Sequence, residues 1–339
     1  MQLHNKCHQL LLLLTLSIAR PLSGQQPAAL SGLDPVLLTR GEERAGLPEL
    51  GRKHGEYTYQ FASAATQSEF ANDPERFAIQ LDGACARMGA NSGQGSPQRW
   101  TVYDGRIYIF ASDGCKQGFL SNPRGHLETP EVALRNEPRA LEFLEQSARA
   151  LGLARLPKTY SEFTERQIEA GKISVELAWR APQSIQSKTD YPGFGVYGDE
   201  IREAEGVYWD RGKAIPHRPT QFASARRGFW QHPLFVFFAR GQSGFSAWVE
   251  KASESEVELG VFFAGGLRIL TFDAKTHLLR QARFQTRGPN SMMGETVDVF
   301  SDWRKVDGLQ VPFRRDSTFD GKPWAGRSRM LKSAIVEWR

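Results

Sequence analysis

The constraint that bears hardest on this chain is an internal repeat. The run Tyr59-Gln60-Phe61-Ala62-Ser63 returns as Tyr108-Ile109-Phe110-Ala111-Ser112 at an offset of 49 residues, and that offset also carries Phe70 onto Phe119 and Pro74 onto Pro123. Six identities at one spacing mark two copies of one structural unit. Upstream, Leu33-Asp34-Pro35-Val36-Leu37 aligns with Leu81-Asp82-Gly83-Ala84-Cys85 at an offset of 48, which sets Cys85 opposite Leu37. Alternating apolar residues over 56–61 and 106–110 predict strands with one buried face. Ser63 and Ser112 follow where a helix N-cap belongs, because a serine oxygen accepts from the free amides of the first turn. Phe70 and Phe119 then fall on the inner face of a two-turn helix that Pro74 and Pro123 close. Each copy is expected to be a hairpin followed by a helix.

From Glu131 the pattern changes. Residues 138–152 form an amphipathic stretch with Pro138 in its first turn and Gly152 at its stop, a helix with both boundary signals. After it, residues 172–179, 257–262 and 267–272 alternate as strands. Asp273-Ala274-Lys275-Thr276, Val306-Asp307-Gly308 and Asp320-Gly321-Lys322-Pro323 read as turns, so residues 295–339 predict three strands in an antiparallel meander. Glu200, Glu203 and Glu205 read as solvated surface in a polar loop region. The run Phe229-Trp230-Gln231-His232-Pro233-Leu234-Phe235-Val236-Phe237-Phe238 is the most apolar segment beyond the leader.

Residues 1–24 carry a short basic stretch, an apolar core over 10–19 and small residues at the end, the order of a secretory signal peptide. The product is expected to begin near Gln25 and to be periplasmic or secreted. No other segment approaches the roughly 20 apolar residues of a membrane helix, so stable membrane insertion is not expected. The formal net charge is +5, and removing Lys6 and Arg20 with the leader lowers it to +3. The longest basic runs are pairs such as Arg226-Arg227 and Arg314-Arg315, too sparse for a nucleic-acid face. Beyond the leader, which holds Cys7, the cysteines are Cys85 and Cys115, a disulfide candidate in an oxidising compartment.

The repeat, with Asp34-Pro35-Val36, Tyr59 to Ser63, Phe70 and Asp73-Pro74-Glu75-Arg76-Phe77, resembles the YHS domain, a small module of the TRASH-like group, over residues 31–128. Metal-binding members place one cysteine after the Asp-Pro pair and two more around the serine. On that pattern the first copy carries Leu37, Ala62 and Thr66, and the second carries Cys85, Ala111 and Cys115. The resemblance thus implies a site at Cys85 and Cys115, open between a disulfide, a metal ion completed by His54, His126 or Asp113, and two idle thiols.

Residues 137–339 resemble the LolA-like outer-membrane lipoprotein-sorting fold. The likeness rests on the helix ending Ala150-Leu151-Gly152, on Trp230-Gln231-His232-Pro233-Leu234, and on Phe272-Asp273-Ala274-Lys275-Thr276 leading to the stretch over 299–313. It implies a curved antiparallel half-barrel with helices on its concave side and an apolar hollow for a lipid or lipoprotein acyl chain. Phe229, Trp230, Phe235, Phe237 and Phe238 are the residues that would line or plug it.

The expected fold class is therefore α+β, tandem hairpin-helix units followed by a β half-barrel. No His-Glu-x-x-His, nucleophile elbow or dinucleotide fingerprint is present, so no enzyme and no resident cofactor is expected. The leading expectation is an exported carrier of an apolar ligand. Metal binding or sensing through Cys85 and Cys115, and a scaffold without ligand, are the alternatives.

Overall fold

The computed structural model describes residues 28–127, 133–169, 171–181 and 184–338. The leader expected over 1–24 lies outside the described residues. The first unit contains α1 (Pro35–Thr39), the hairpin β1 (Leu47–His54) and β2 (Tyr57–Phe61), then α2 (Ala64–Asn72) and α3 (Pro74–Phe77). The second repeats the hairpin as β3 (Ser96–Tyr103) and β4 (Arg106–Phe110), then α4 (Asp113–Ser121) and α5 (Pro123–Leu127). Ser63 caps α2 by accepting from the Thr66 amide at 3.2 Å, and Ser112 caps α4 by accepting from the Cys115 amide at 3.1 Å.

Phe70 and Phe119 are fully buried, each packed 5.2 Å between ring centres from the strand phenylalanine of its own copy, Phe61 or Phe110. Pro74 and Pro123 do end the first helix, but each also opens a second short one, where a missing N–H costs nothing. Asp73 and Asn122 cap those turns, accepting from the amides of Arg76 at 3.3 Å and Gly125 at 3.0 Å.

The upstream register differs from the one expected. Gly32 and Gly83 both have φ near +80°, at 80° and 81°, and their carbonyls accept from Gly46 and Gly95 at 2.8 Å. The amides of Asp34 and Cys85 donate to Arg44 and Gly93 at 2.9 and 3.2 Å. Asp34, not Leu37, therefore stands where Cys85 stands. The segment from Asp34 to Arg44 is two residues longer than that from Cys85 to Gly93, and α1 absorbs the difference. Matching the two Leu-Asp pairs placed the length change too early.

The rest of the chain begins with α6 (Pro138–Leu151), which stops at Gly152 in the left-handed conformation, φ 88°. A Cβ there would also meet the Gly308 carbonyl oxygen at 2.2 Å, so glycine serves both the cap and the close approach. Next come β5 (Thr159–Ile168), β6 (Gly171–Arg180), β7 (Ser184–Tyr191), β8 (Gly195–Arg202), β9 (Glu205–Asp210) and β10 (Lys213–Pro216). Helices α7 (Pro219–Phe229) and α8 (Phe235–Ala239) follow. The second meander is β11 (Ser246–Ala252), β12 (Glu256–Phe263), β13 (Gly266–Asp273), β14 (Leu279–Arg287), β15 (Met293–Val306) and β16 (Leu309–Phe319). A two-residue β17 (Lys322–Pro323) and β18 (Arg329–Glu337) complete it.

Among the described residues these strands form one open sheet of fourteen, in the order β10-β9-β8-β7-β6-β5-β18-β16-β15-β14-β13-β12-β11, with β17 on β16. The first meander runs outward from the centre; α7 and α8 follow, and the second runs inward from the opposite edge. The two halves meet at β18, which pairs with β5 along most of its length but with β16 at only Arg314↔Met330 and Arg315↔Arg329. The β11 edge is covered: Glu137 donates to the Ala247 carbonyl at 2.9 Å, and the Ala247 and Val249 amides donate to Asn136 and Glu137 side chains at 3.1 and 3.0 Å.

Around Glu200 the polar loop expected is in part strand: Glu203 lies in the turn between β8 and β9 and, with Glu205, is exposed as expected, but Glu200 is not. Glu200 is buried in β8, accepting from Gln186 at 3.0 Å and from the Arg202 guanidinium at 2.7 Å. Gln186 and Glu200 pair on the face opposite the core residues Ile185 and Ile201, and the core-side positions also carry Ser187 and Asp199, so the apolar alternation that marks a strand is missing. The main core lies between the sheet and α6, α7 and α8, with Leu144, Leu151, Phe235 and Phe237 packed around Tyr160, Trp179 and Phe272.

The second unit is held against the sheet by two arginines. Arg218 donates to the carbonyls of Asp82, Ala90 and Ser92 at 3.1, 3.2 and 2.8 Å, and Arg287 donates to those of Arg87 and His126 at 3.1 and 2.7 Å. Asp82 also accepts from the Thr220 amide and hydroxyl at 2.7 and 2.8 Å, capping α7 from another part of the fold. Phe70→Ala and Phe119→Ala each empty the centre of one unit, and each is expected to cost about 3–5 kcal/mol in denaturant unfolding monitored by tryptophan fluorescence.

Candidate functional site

Three arginines converge where the two halves of the sheet meet. Arg315 on β16 is paired with Arg329 on β18, and Arg327 lies in the turn leading into β18. With Phe229, His232, Asp199 and, from the second unit, Asn91, they line a cleft of about 300 Å³; Asp199 is held by the His217 Nε2 at 2.9 Å. Like charges on paired residues repel, so the surrounding carboxylates decide whether such a cluster is tolerable.

Two carboxylates sit behind the arginines. Glu162 on β5 is buried and takes Arg329 at 2.5 Å, the His232 Nε2 at 2.9 Å and the Tyr160 hydroxyl at 2.9 Å. Asp298 on β15 is fully buried and takes the Arg327 Nε and Nη2 at 3.0 and 2.9 Å, with the Ser317 hydroxyl at 2.7 Å. Arg315 differs. Among the described residues it has no carboxylate within ion-pair distance, and it donates Nε and Nη2 to the Arg327 carbonyl at 3.3 and 2.7 Å. It is enclosed by the fold yet keeps part of its surface open to the cleft.

The electrostatics follow from these contacts. Burial works against ionisation of Glu162, but Arg329, His232 and Tyr160 outweigh it and hold the carboxyl well below the usual range. Asp298 is lowered in the same way, with Arg327 overcoming burial. Burial, with Arg329 and Arg327 beside it, pulls the Arg315 guanidinium well below the ordinary arginine value, while Asp298 and Glu162 act the other way. Arg268 lies deeper still, pulled down to about 9 by burial, with Nη1 donating to the Trp230 carbonyl at 2.6 Å and Nε and Nη2 without a partner among the described residues.

His232 is committed on both nitrogens. The Leu234 amide donates to Nδ1 at 3.2 Å, so the ring proton sits on Nε2 and is donated to Glu162. Burial lowers its basicity more than Glu162 raises it. The ring thus orients Glu162 and offers no free lone pair to the cleft.

Of the five aromatic residues expected to line an apolar hollow, all are buried in the main core. Phe235 and Phe238 stack at 5.6 Å, Phe238 meets Trp179 at 4.4 Å, Trp230 meets Phe263 at 5.0 Å and Phe237 meets Phe272 at 6.4 Å. The cavity Trp230 touches is about 20 Å³, room for about one water. Phe229 reaches the arginine-lined cleft.

Cys85 and Cys115 are brought together as unbonded thiols in side-chain contact. Among the described residues no group of three metal-ligating side chains forms around them. His126 lies between the carbonyls of Ser291 and Gly118 at 3.0 and 3.3 Å, His54 packs on Phe70, and Asp113 faces Arg99 at 3.3 Å.

No protein-family model matches the chain, and no curated protein matches it in sequence. The site was missed by sequence reasoning because Glu162, His232, Asp298 and the arginines are scattered over more than 160 residues. One local signal existed: Arg268 and Asp298 each occupy the buried face of a strand otherwise filled by Leu270 and Phe272, or by Thr296 and Phe300.

A neutral buried histidine gives a signed prediction. Its basicity is lowered in the fold, so the unfolded chain binds the extra proton first, and stability falls as pH drops below the unfolded value of 6.5. His232→Gln keeps a donor for Glu162 and removes that proton. The loss of stability between about pH 6.5 and 5 is expected to be smaller in this variant, measured by urea unfolding across the range.

Proposed function

We propose that this chain is an exported, non-enzymatic binding protein of a bacterial cell envelope, in which the cleft between the second unit and a curved half-barrel sheet holds the anionic group of its ligand. The observation that carries this reading is Arg315, a cation enclosed by the fold, opposite a second arginine, without a carboxylate of its own. A phosphate or carboxylate in the cleft supplies the missing counter-charge through the paired N–H groups that guanidinium offers. Leu177, Ala225 and Phe229 add apolar wall, so the ligand has an apolar part beside its charge. A lipid headgroup and a free organic anion share that chemistry. The double commitment of His232 supports binding in place of proton transfer.

The test uses the full chain and Arg315→Met. Inorganic phosphate at saturating concentration is expected to raise the melting temperature of the native protein, since a ligand at 100 times its Kd adds about 2.7 kcal/mol. Arg315→Met is expected to lose that response while melting no lower than the native protein without phosphate, because it removes a half-buried positive charge that has no carboxylate partner among the described residues. Flotation with phosphatidylglycerol but not phosphatidylcholine vesicles, lost in Arg315→Met, identifies a lipid headgroup as the source. Absence of both responses, or a ligand-free Arg315→Met protein that melts well below native, sinks the reading.

Export is checked separately. Expressed with its own N-terminus in a bacterial host, the chain is expected outside the inner membrane with a mass that begins near Gln25; a cytoplasmic product retaining Met1 overturns that part.

A further inference from the structure

The two units carry the same latch in different chemistry. In the first, the Asp34 Oδ2 accepts from the Ala62 amide at 2.7 Å and the Thr66 hydroxyl at 2.6 Å, tying the entry segment to the start of α2. In the second, Cys85 takes the place of Asp34, the Ala111 amide that of Ala62, and Cys115 that of Thr66. The latch of the second unit is two thiols in contact. One is buried behind β4, where Cys85 bridges Ile109; the other is half-buried in the first turn of α4.

We infer that Cys85 and Cys115 form a reversible thiol–disulfide pair, with Cys115 as the thiol that meets an incoming disulfide and Cys85 as the one that resolves it. The accessible position of Cys115 sets the order of attack. The Ser112 hydroxyl, against a smaller opposing effect of burial, and then Cys85 and Arg87 favour the Cys115 thiolate, whereas burial pushes the Cys85 thiol up. The Arg87 Nε is buried and has no hydrogen-bond partner among the described residues, so it is available to that thiolate.

The chemistry balances with a low-molecular-weight disulfide as oxidant. The Cys115 sulfur bonds to one sulfur of the oxidant, breaking its S–S bond and releasing one thiolate. Cys85, losing its proton to that thiolate, attacks the Cys115 sulfur and displaces the second. Two protein thiols are oxidised by two electrons, and one disulfide is reduced to two thiols. The inference is independent of what the arginine cleft binds.

The full chain is equilibrated in oxidised and reduced glutathione, quenched with acid, alkylated and mapped by peptide mass. The expected result is one two-electron transition to a Cys85–Cys115 cross-linked peptide. Cys85→Ser is expected to trap glutathione on Cys115, and Cys115→Ser to leave Cys85 unmodified over the same time. A double variant, Cys85→Asp with Cys115→Thr, copies the latch of the first unit; it is expected to fold and to melt at the same temperature in oxidising and reducing buffer, whereas the native melting temperature rises on oxidation. Separate glutathione adducts without a cross-link, failure of either thiol to oxidise, equally fast labelling of Cys85 in Cys115→Ser, or a stoichiometric zinc ion released by alkylation each overturns the inference.

Discussion

The repulsion between Arg315 and Arg329 organises the centre of this molecule. They stand opposite one another at one of only two residue pairs that join β16 to β18, and through β18 the two halves of the sheet. The join survives because Glu162 neutralises Arg329 from β5 and Asp298 neutralises Arg327 from β15. Each half of the sheet therefore supplies one carboxylate. A buried charge is costly until it is paired, so these contacts fix where the halves meet as much as the backbone does. Arg315, with no carboxylate within ion-pair distance among the described residues, faces the cleft, whose wall also carries Asp199 held by His217, and the proposed ligand site follows from Arg315.

Much of the local structure was legible in the sequence. Ser63 and Ser112 cap helices, Phe70 and Phe119 fill the units, and Gly152 ends α6 because each obeys a short-range rule that needs no knowledge of the rest of the chain. The same rules failed where the physics is long-range. Asp34 was passed over as the counterpart of Cys85 because the loop that follows changed length, and only the ladder of hydrogen bonds restores the register. Glu200 reads as solvated surface in sequence because its partner, Gln186, meets it only inside the sheet, where burial does not require an apolar side chain.

The aromatic segment illustrates a further limit. A run of phenylalanines marks burial, but whether the burial is against protein or ligand depends on what faces it. Here α6, Trp179 and Phe272 fill the space. The polar residues that hold the cleft are hidden in plain composition: four of them lie on β5, β15, β16 and β18 and two, His232 and Arg327, in connecting segments, and they become a group only when β18 inserts between β5 and β16.

The edges of the sheet carry their own consequence. A terminal strand with free backbone groups invites another molecule to add on, the first step towards fibres. At one end, Asn136 and Glu137 already occupy the β11 amides and carbonyl that an incoming strand would need. At the other, β10 is four residues long, begins with a lysine and finishes on a proline that has no donor to give. The two ends of a broad open sheet thereby offer few free backbone groups to an incoming strand.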